Sequence, residues 1–224
     1  MASLRKYFKL MKDHPELFSN PDEPGVIKII TDPQELRLLQ AELKKEFKGS
    51  GKKSEWVDIG VLGEDQWEYI VRDLVRHPDG RIGGYNRSIS RVALQGAMGV
   101  VVMPVLSEEV LLLKHFRHES RSWLWEFPRG YGELGLSGEE NAKKELMEEV
   151  GLPPIKLFEI GRDTGTAFYY AELKKGMPRK PTDEAIQKIE LVSLEELGNW
   201  IISGKITDWY TIMAYLMCKN KNLL

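Results

Sequence analysis

The stretch GYGELGLSGEENAKKELMEEVGL, residues 130–152, constrains the chain more than any other, because it sets six glutamates among five glycines. Ser137 and Glu140 stand in the S-x-x-E register of a capping box, and Gly151 where a helix ends in a left-handed residue, so the spacing predicts a helix over about 138–150. With about 100° between successive residues, Ala142, Leu146 and Val150 make one apolar stripe, while Glu145, Glu148 and Glu149 fan along its flank. Lys143, Lys144 and Met147 point the other way. Neighbouring like charges destabilise a helix by about a few tenths of a kcal/mol per pair. Carboxylates beside a buried face also suffer desolvation, which raises their pKa. A divalent cation reverses both penalties, since hard cations take oxygen ligands and commonly combine a few carboxylates with substrate phosphates. Gly130, Gly132, Gly135 and Gly138 would let backbone groups approach such an ion or a phosphate. The helix alone is equally compatible with a solvated acidic face and ordinary loop glycines.

The flanking pattern is that of a mixed α/β protein. Residues 1–55 read as a helical extension: in DPQELRLLQAELKKEFKG, Leu36, Leu39, Leu43 and Phe47 fall at helical spacing, Asp32 and Pro33 open the helix, and Gly49 ends it. GSGKKSE, from Gly49, reads as a linker or exposed loop. Over 56–92 the pattern turns extended, with WEYIVRDLVRH and RIGGYNRSIS separated by the turn HPDG, to which His77 belongs. From Val92 onward VALQGAMGVVVMPV, EEVLLLKHFR, WLWEF, IKLFEIGRD, TAFYYAEL and IQKIELV read as strands, and SLEELGNWIISG and TDWYTIMAYLMCK as closing helices. Strands on either side of the glutamate helix predict a mixed sheet between helices.

Several functions are disfavoured. No apolar run is long enough to span a bilayer, and the first residues lack the apolar core and cleavage site of a signal peptide, so a cytoplasmic protein is expected. Cys218 is the single cysteine and lies in an apolar helical pattern, which excludes an internal disulfide and a multi-cysteine zinc site. A net charge of -2 argues against a polyanion-binding surface and leaves a small-molecule partner as the better fit, with neither nucleic acid nor membrane expected.

The glutamate segment resembles the Nudix box, G-x5-E-x7-R-E-U-x-E-E-x-G-U, with U a bulky apolar residue. Gly130 matches its first glycine, and Glu145, Leu146, Glu148, Glu149, Gly151 and Leu152 match its tail; Leu136 stands where the first glutamate belongs and Lys144 replaces the arginine. The match extends to the branch of Nudix enzymes acting on ADP-ribose and related nucleoside diphosphate sugars. KHFR resembles that branch's Q-[FY]-R, with Arg117 on its arginine, and WEFPRG its W-E-L-P-[AR]-G, with Glu126 on its glutamate. GRDTG, DEAIQKIELVSLEEL and SGKITDWYTIMAYL are similar to later segments of the branch, so the likeness covers about residues 93–220. It implies a Nudix-type α/β/α sandwich with a mixed sheet for 93–224, and a β-rich, dimerising segment over 56–92, hence a homodimer.

It also implies site roles. The tail glutamates would bind Mg²⁺ or Mn²⁺, with Glu145 and Glu149 as principal ligands, Glu148 as a third ligand or the group holding the water, and the backbone carbonyl of Arg129 assisting. The missing glutamate and the arginine are a pair bracing loop against helix, so their joint change leaves the ligands in place. Glu184, with Asp183 beside it, sits where the branch often carries its base. Arg117 and Arg121 match phosphate oxygens in chemistry, Arg121 being equally a solvated arginine. Trp123 and Trp125 share one strand face, to stack a nucleobase or to fill the core; Trp125 and Glu126 complete the expected substrate contacts. His115 and His118 flank Arg117 without spaced partners for metal ligation. The reaction implied is hydrolysis of a pyrophosphate bond in a nucleoside diphosphate linked to another moiety. A nucleotide-binding sensor or interaction module with little turnover is the alternative, favoured by Leu136 and the unmatched N-terminus. An RNA-cap hydrolase lacks an obvious basic tract.

Overall fold

A computed structural model describes residues 2–179, 181–182 and 184–224, in two compact units, Met1–Arg91 and Val92–Leu224. No helix among the described residues is long and apolar enough to cross a membrane.

In the first unit, α1 (Leu4–Asp13) starts at Ser3, whose hydroxyl accepts from the Lys6 amide. The short β1 (Lys28–Ile29) precedes α2 (Pro33–Gly49), which Asp32 caps by accepting from the amides of Gln34 and Glu35. β2 (Gly60–Glu64), β3 (Glu68–Arg76) and β4 (Ile82–Ser90) complete a four-stranded sheet. β4 pairs along all of β3, so β1 and β2 share the opposite edge of that strand. The β3–β4 turn is the HPDG stretch, where the Gly80 amide donates to the His77 carbonyl. Helices and sheet are joined by a buried polar contact. The Tyr7 hydroxyl donates to Asp73, whose other oxygen lies 2.6 Å from Arg87 Nε. The division expected at residue 55 therefore falls inside one compact unit, because α1 and α2 bury Tyr7, Leu10 and Leu36 along with the strands.

The second unit holds a seven-stranded mixed sheet, built from β5 (Gly99–Leu106), β6 (Glu109–Arg117), β7 (Ser122–Glu126), β8 (Arg129–Gly130), β9 (Pro154–Arg162), β10 (Thr166–Leu173) and β11 (Ile186–Val192). The central order is β11-β6-β5-β10-β9, with β7 on β6 and β8 on β5. Only the β5–β10 pair is parallel among these ladders. α3 (Gly138–Glu149) separates β8 from β9, and α4 (Leu194–Ile202) and α5 (Trp209–Asn220) follow the last strand.

Alternation along β5 and β6 divides the core in two. Val100, Val102, Leu111 and Leu113 pack with Ala142, Leu146 and Val150 of α3. Val101, Met103, Val110 and Leu112 pack with Leu197 and Trp200 of α4 and Ala214 and Cys218 of α5. The result is an α/β/α sandwich. Burial pushes the Cys218 thiol up to about 12, so this side chain fills space and has no reactive thiolate. The predicted strand from Val92 begins only at Gly99, since residues Ala93–Gln95 form a 3-10 turn.

Candidate metal and active site

α3 forms as its sequence dictates. Ser137 accepts from the Glu140 amide at 3.2 Å, and the Glu140 carboxylate accepts from the Ser137 amide at 2.8 Å, a complete capping box. Gly151 follows the helix with φ +73°, a conformation costly for any residue with a Cβ. The buried Asn141 donates to the Tyr131 carbonyl at 2.9 Å and thereby ties the preceding glycine loop to the helix.

The stripe of Ala142, Leu146 and Val150 faces the sheet, so Glu145 and Glu149 are turned toward β8. The Arg129 amide donates to Glu149 Oε2 at 3.1 Å. A Cβ on Gly130 would lie 1.9 Å from Glu145 Oε1, so the Glu145 carboxylate occupies the space that a side chain at position 130 would need. Burial, then the neighbouring Glu148 charge, pushes the Glu145 carboxyl up to about 7. Burial, then Glu145, raises Glu149 well above the ordinary carboxylate range. Two carboxyls thus share a poorly solvated space in which burial outweighs the nearby cationic groups.

Glu148 lies apart. Its side chain is about half exposed and stands 3.1 Å from Lys144 Nζ, which also binds Glu133 of the glycine loop. Among the described residues, no three acidic, histidine or cysteine side chains stand close enough together to hold a metal ion.

Glu126 is fully buried. Arg117 grips it with Nε at 2.9 Å from Oε2 and with Nη2 on Oε1; Arg129 Nη2 stands 3.3 Å away and His115 Nδ1 3.0 Å away. Burial works to raise this carboxyl, but His115 and Arg117 outweigh it and hold it below the usual range. Of the substrate contacts expected from sequence, Glu126 thus has no exposed surface and serves as the anchor of Arg117. Trp125 is also buried, against Trp200 at 5.2 Å between ring centres. Trp123 is exposed and packs edge-on against Phe116, whose ring also lies under the Arg121 guanidinium at 5.1 Å. Arg121 itself is exposed and bonds His118 Nδ1 at 2.8 Å. Glu184 is exposed, and its charge contributes to raising Glu145; Asp183 lies outside the described residues.

Sequence reasoning left two residues without a role in the site. His115 is buried between Glu126 and Glu149, 3.9 Å from Glu149 Oε1. The signal was present: alternation puts it on the same face of β6 as Leu111 and Leu113, the face that meets α3. Asp208 caps α5 by accepting from the Thr211 amide at 2.9 Å, and its other oxygen lies 3.2 Å from Arg129 Nη2. Its capping position was legible, its reach to Arg129 was not.

A solved structure described as an ADP compounds hydrolase is similar to this chain, with a TM-score of 0.59 at 14% identity over 73% of this chain and 90% of that one. At that identity the likeness shows the fold. No curated protein matches the sequence. The family model described as NUDIX domain matches residues 96–210, which include the capped acidic helix, the β8 glycine strand and the Arg117–Glu126 pair. With just over half of its length matched, the chain belongs to the NUDIX domain family.

Proposed function

We propose that the chain is a divalent-cation-dependent hydrolase of the pyrophosphate bond in a nucleoside diphosphate linked to another moiety, of the ADP-ribose or nucleotide-sugar kind, releasing a nucleoside monophosphate. The observation that carries this reading is the pair Glu145 and Glu149, held against Arg129 and Gly130 with both carboxyls raised by burial, Glu145 further by the Glu148 charge and Glu149 further by Glu145. Such a pair has a cation's worth of unmet charge, and an all-oxygen set suits Mg²⁺ or Mn²⁺. Glu145 and Glu149 would hold the ion with the Arg129 carbonyl, and Glu148 would join after leaving Lys144. When bound, the ion lowers the pKa of water and neutralises charge on phosphate oxygens.

The chain's own groups do the rest. Arg117 would present to a phosphate the N–H groups that Glu126 leaves over, in an orientation locked by that buried carboxylate. Glu184, whose charge reaches Glu145, would accept the proton of the attacking water. Trp123, exposed on Phe116, offers an aromatic face for a nucleobase, with Arg121 beside it for a phosphate. The partner is a nucleotide-derived small molecule, and a homodimeric assembly goes with this branch of the family.

The test is incubation with Mg²⁺ or Mn²⁺ and a panel of ADP-ribose, nucleotide sugars, dinucleoside polyphosphates and capped RNA, followed by assay for nucleoside monophosphate. Turnover of ADP-ribose or a nucleotide sugar is expected. Tight binding of one compound with no turnover of any would replace the enzyme with a nucleotide sensor.

A further inference from the structure

Glu133 and Lys144 have no place in the mechanism above, yet they hold one of its residues. Lys144 Nζ is shared by two carboxylates, Glu133 of the loop and Glu148 one helical turn along α3. Glu133 lies two residues upstream of Gly135 and accepts from the Leu136 amide through its backbone carbonyl at 3.3 Å, so its own position is fixed by a turn. The bond to Glu133 is the first cause raising the Lys144 ammonium above its ordinary pKa, with Glu148 behind it. One ammonium thus serves two acids, of which Glu148 exerts the larger charge effect on Glu145.

We propose that Glu133 and Lys144 act as positioning residues for Glu148: Lys144 stations Glu148 outside the carboxylate pair, and Glu133 keeps Lys144 neutralised when Glu148 turns inward to a divalent cation. This rests on the metal-site reading given above. Lys144 goes from two carboxylates to one in the exchange, so its charge is never left without an acidic partner. With Glu133 removed, the inward turn would strip Lys144 of its last acidic partner, and Glu148 would be held back. The same contact explains how loop and helix stay joined although Leu136 carries no charge: the acid has moved three residues up the loop, to a position from which it reaches Lys144.

The test is calorimetric titration of Mn²⁺ into the full chain, with melting of the metal-free protein as the control for folding. Glu133→Gln is expected to weaken Mn²⁺ binding about three- to ten-fold, the usual size of coupling between contacting charges, with an unchanged metal-free melting temperature. Adding Lys144→Met to that variant is expected to restore binding, since nothing then retains Glu148; a purely structural brace would be damaged further. Lys144→Met alone is expected to bind at least as tightly as the parent. Unchanged affinity in Glu133→Gln, or weaker binding in the double variant than in Glu133→Gln, overturns the proposal. Glu149→Gln separates the two readings: if it binds Mn²⁺ like the parent, the metal site itself is wrong. If it loses binding while Glu133→Gln does not, only the positioning role fails.

Discussion

Position 130 and the Glu145 carboxylate compete for one volume, so the glycine is a requirement of the acid. Gly130→Ala is expected to fold, because the atoms a Cβ meets first belong to the end of a flexible glutamate side chain, and to displace Glu145, weakening Mn²⁺ binding and turnover together; titration and steady-state kinetics check both. Glu149 carries the opposite tension. Its charge is unfavourable where it lies, so Glu149→Gln should raise the melting temperature of the metal-free protein while cutting turnover by about 10²-fold or more, the scale seen when a preorganised electrostatic contact is removed. A variant both less stable and inactive would mean that Glu149 is held in place by its bond from the Arg129 amide more than it is strained by burial. At this scale the sequence was informative: the spacing of Glu145, Glu148 and Glu149 against an apolar stripe is a property of helical geometry. The turn of Glu148 toward Lys144 was not legible, because it depends on Glu133, in a loop whose path no periodicity describes.

Among elements, α3 was readable from end to end, since capping box and terminal glycine are local signals. α5 was readable as a helix, but its role was not. Asp208 uses one oxygen to cap α5 and the other to meet Arg129, which in turn touches the buried Glu126. That chain joins residues from β7, β8 and α5, and only the fold brings them together. Asp208→Asn should keep the cap and lose the ion pair, whereas Asp208→Ala should lose both. Loss of the cap costs about 1 kcal/mol, and leaving the Arg129 charge without this partner adds to it, so urea unfolding should rank parent above Asn above Ala. Equal losses for the two variants would assign the whole effect to the charge. The short β8 escaped notice for the same reason as Asp208: two residues, Arg129 and Gly130, count as a strand only because Val100 and Val101 lie opposite.

Over the whole molecule these local strains add up to a pH dependence whose sign follows from proton linkage. Glu145 titrates near 7 in the folded chain and Glu149 well above its ordinary value, so the folded state keeps protons that the unfolded state has released. The contribution of Glu145 to stability is intact below about pH 4.5, the ordinary glutamate value, and is lost as pH rises through about 7; that of Glu149 is lost in the same direction. Glu126 works the other way, since its lowered carboxyl stabilises the fold above the ordinary range and ceases to do so in acid. The metal-free protein should therefore melt lower at pH 8 than at pH 6. A divalent cation reverses the trend, because it binds the deprotonated carboxylates and must displace those same protons. The gain in melting temperature on adding Mg²⁺ or Mn²⁺ should grow steadily from pH 5.5 to pH 8, and Glu145→Gln and Glu149→Gln should each flatten both curves. A cation-induced gain independent of pH, or one that survives both substitutions, would place the bound ion elsewhere on the chain and detach the buried acids from it.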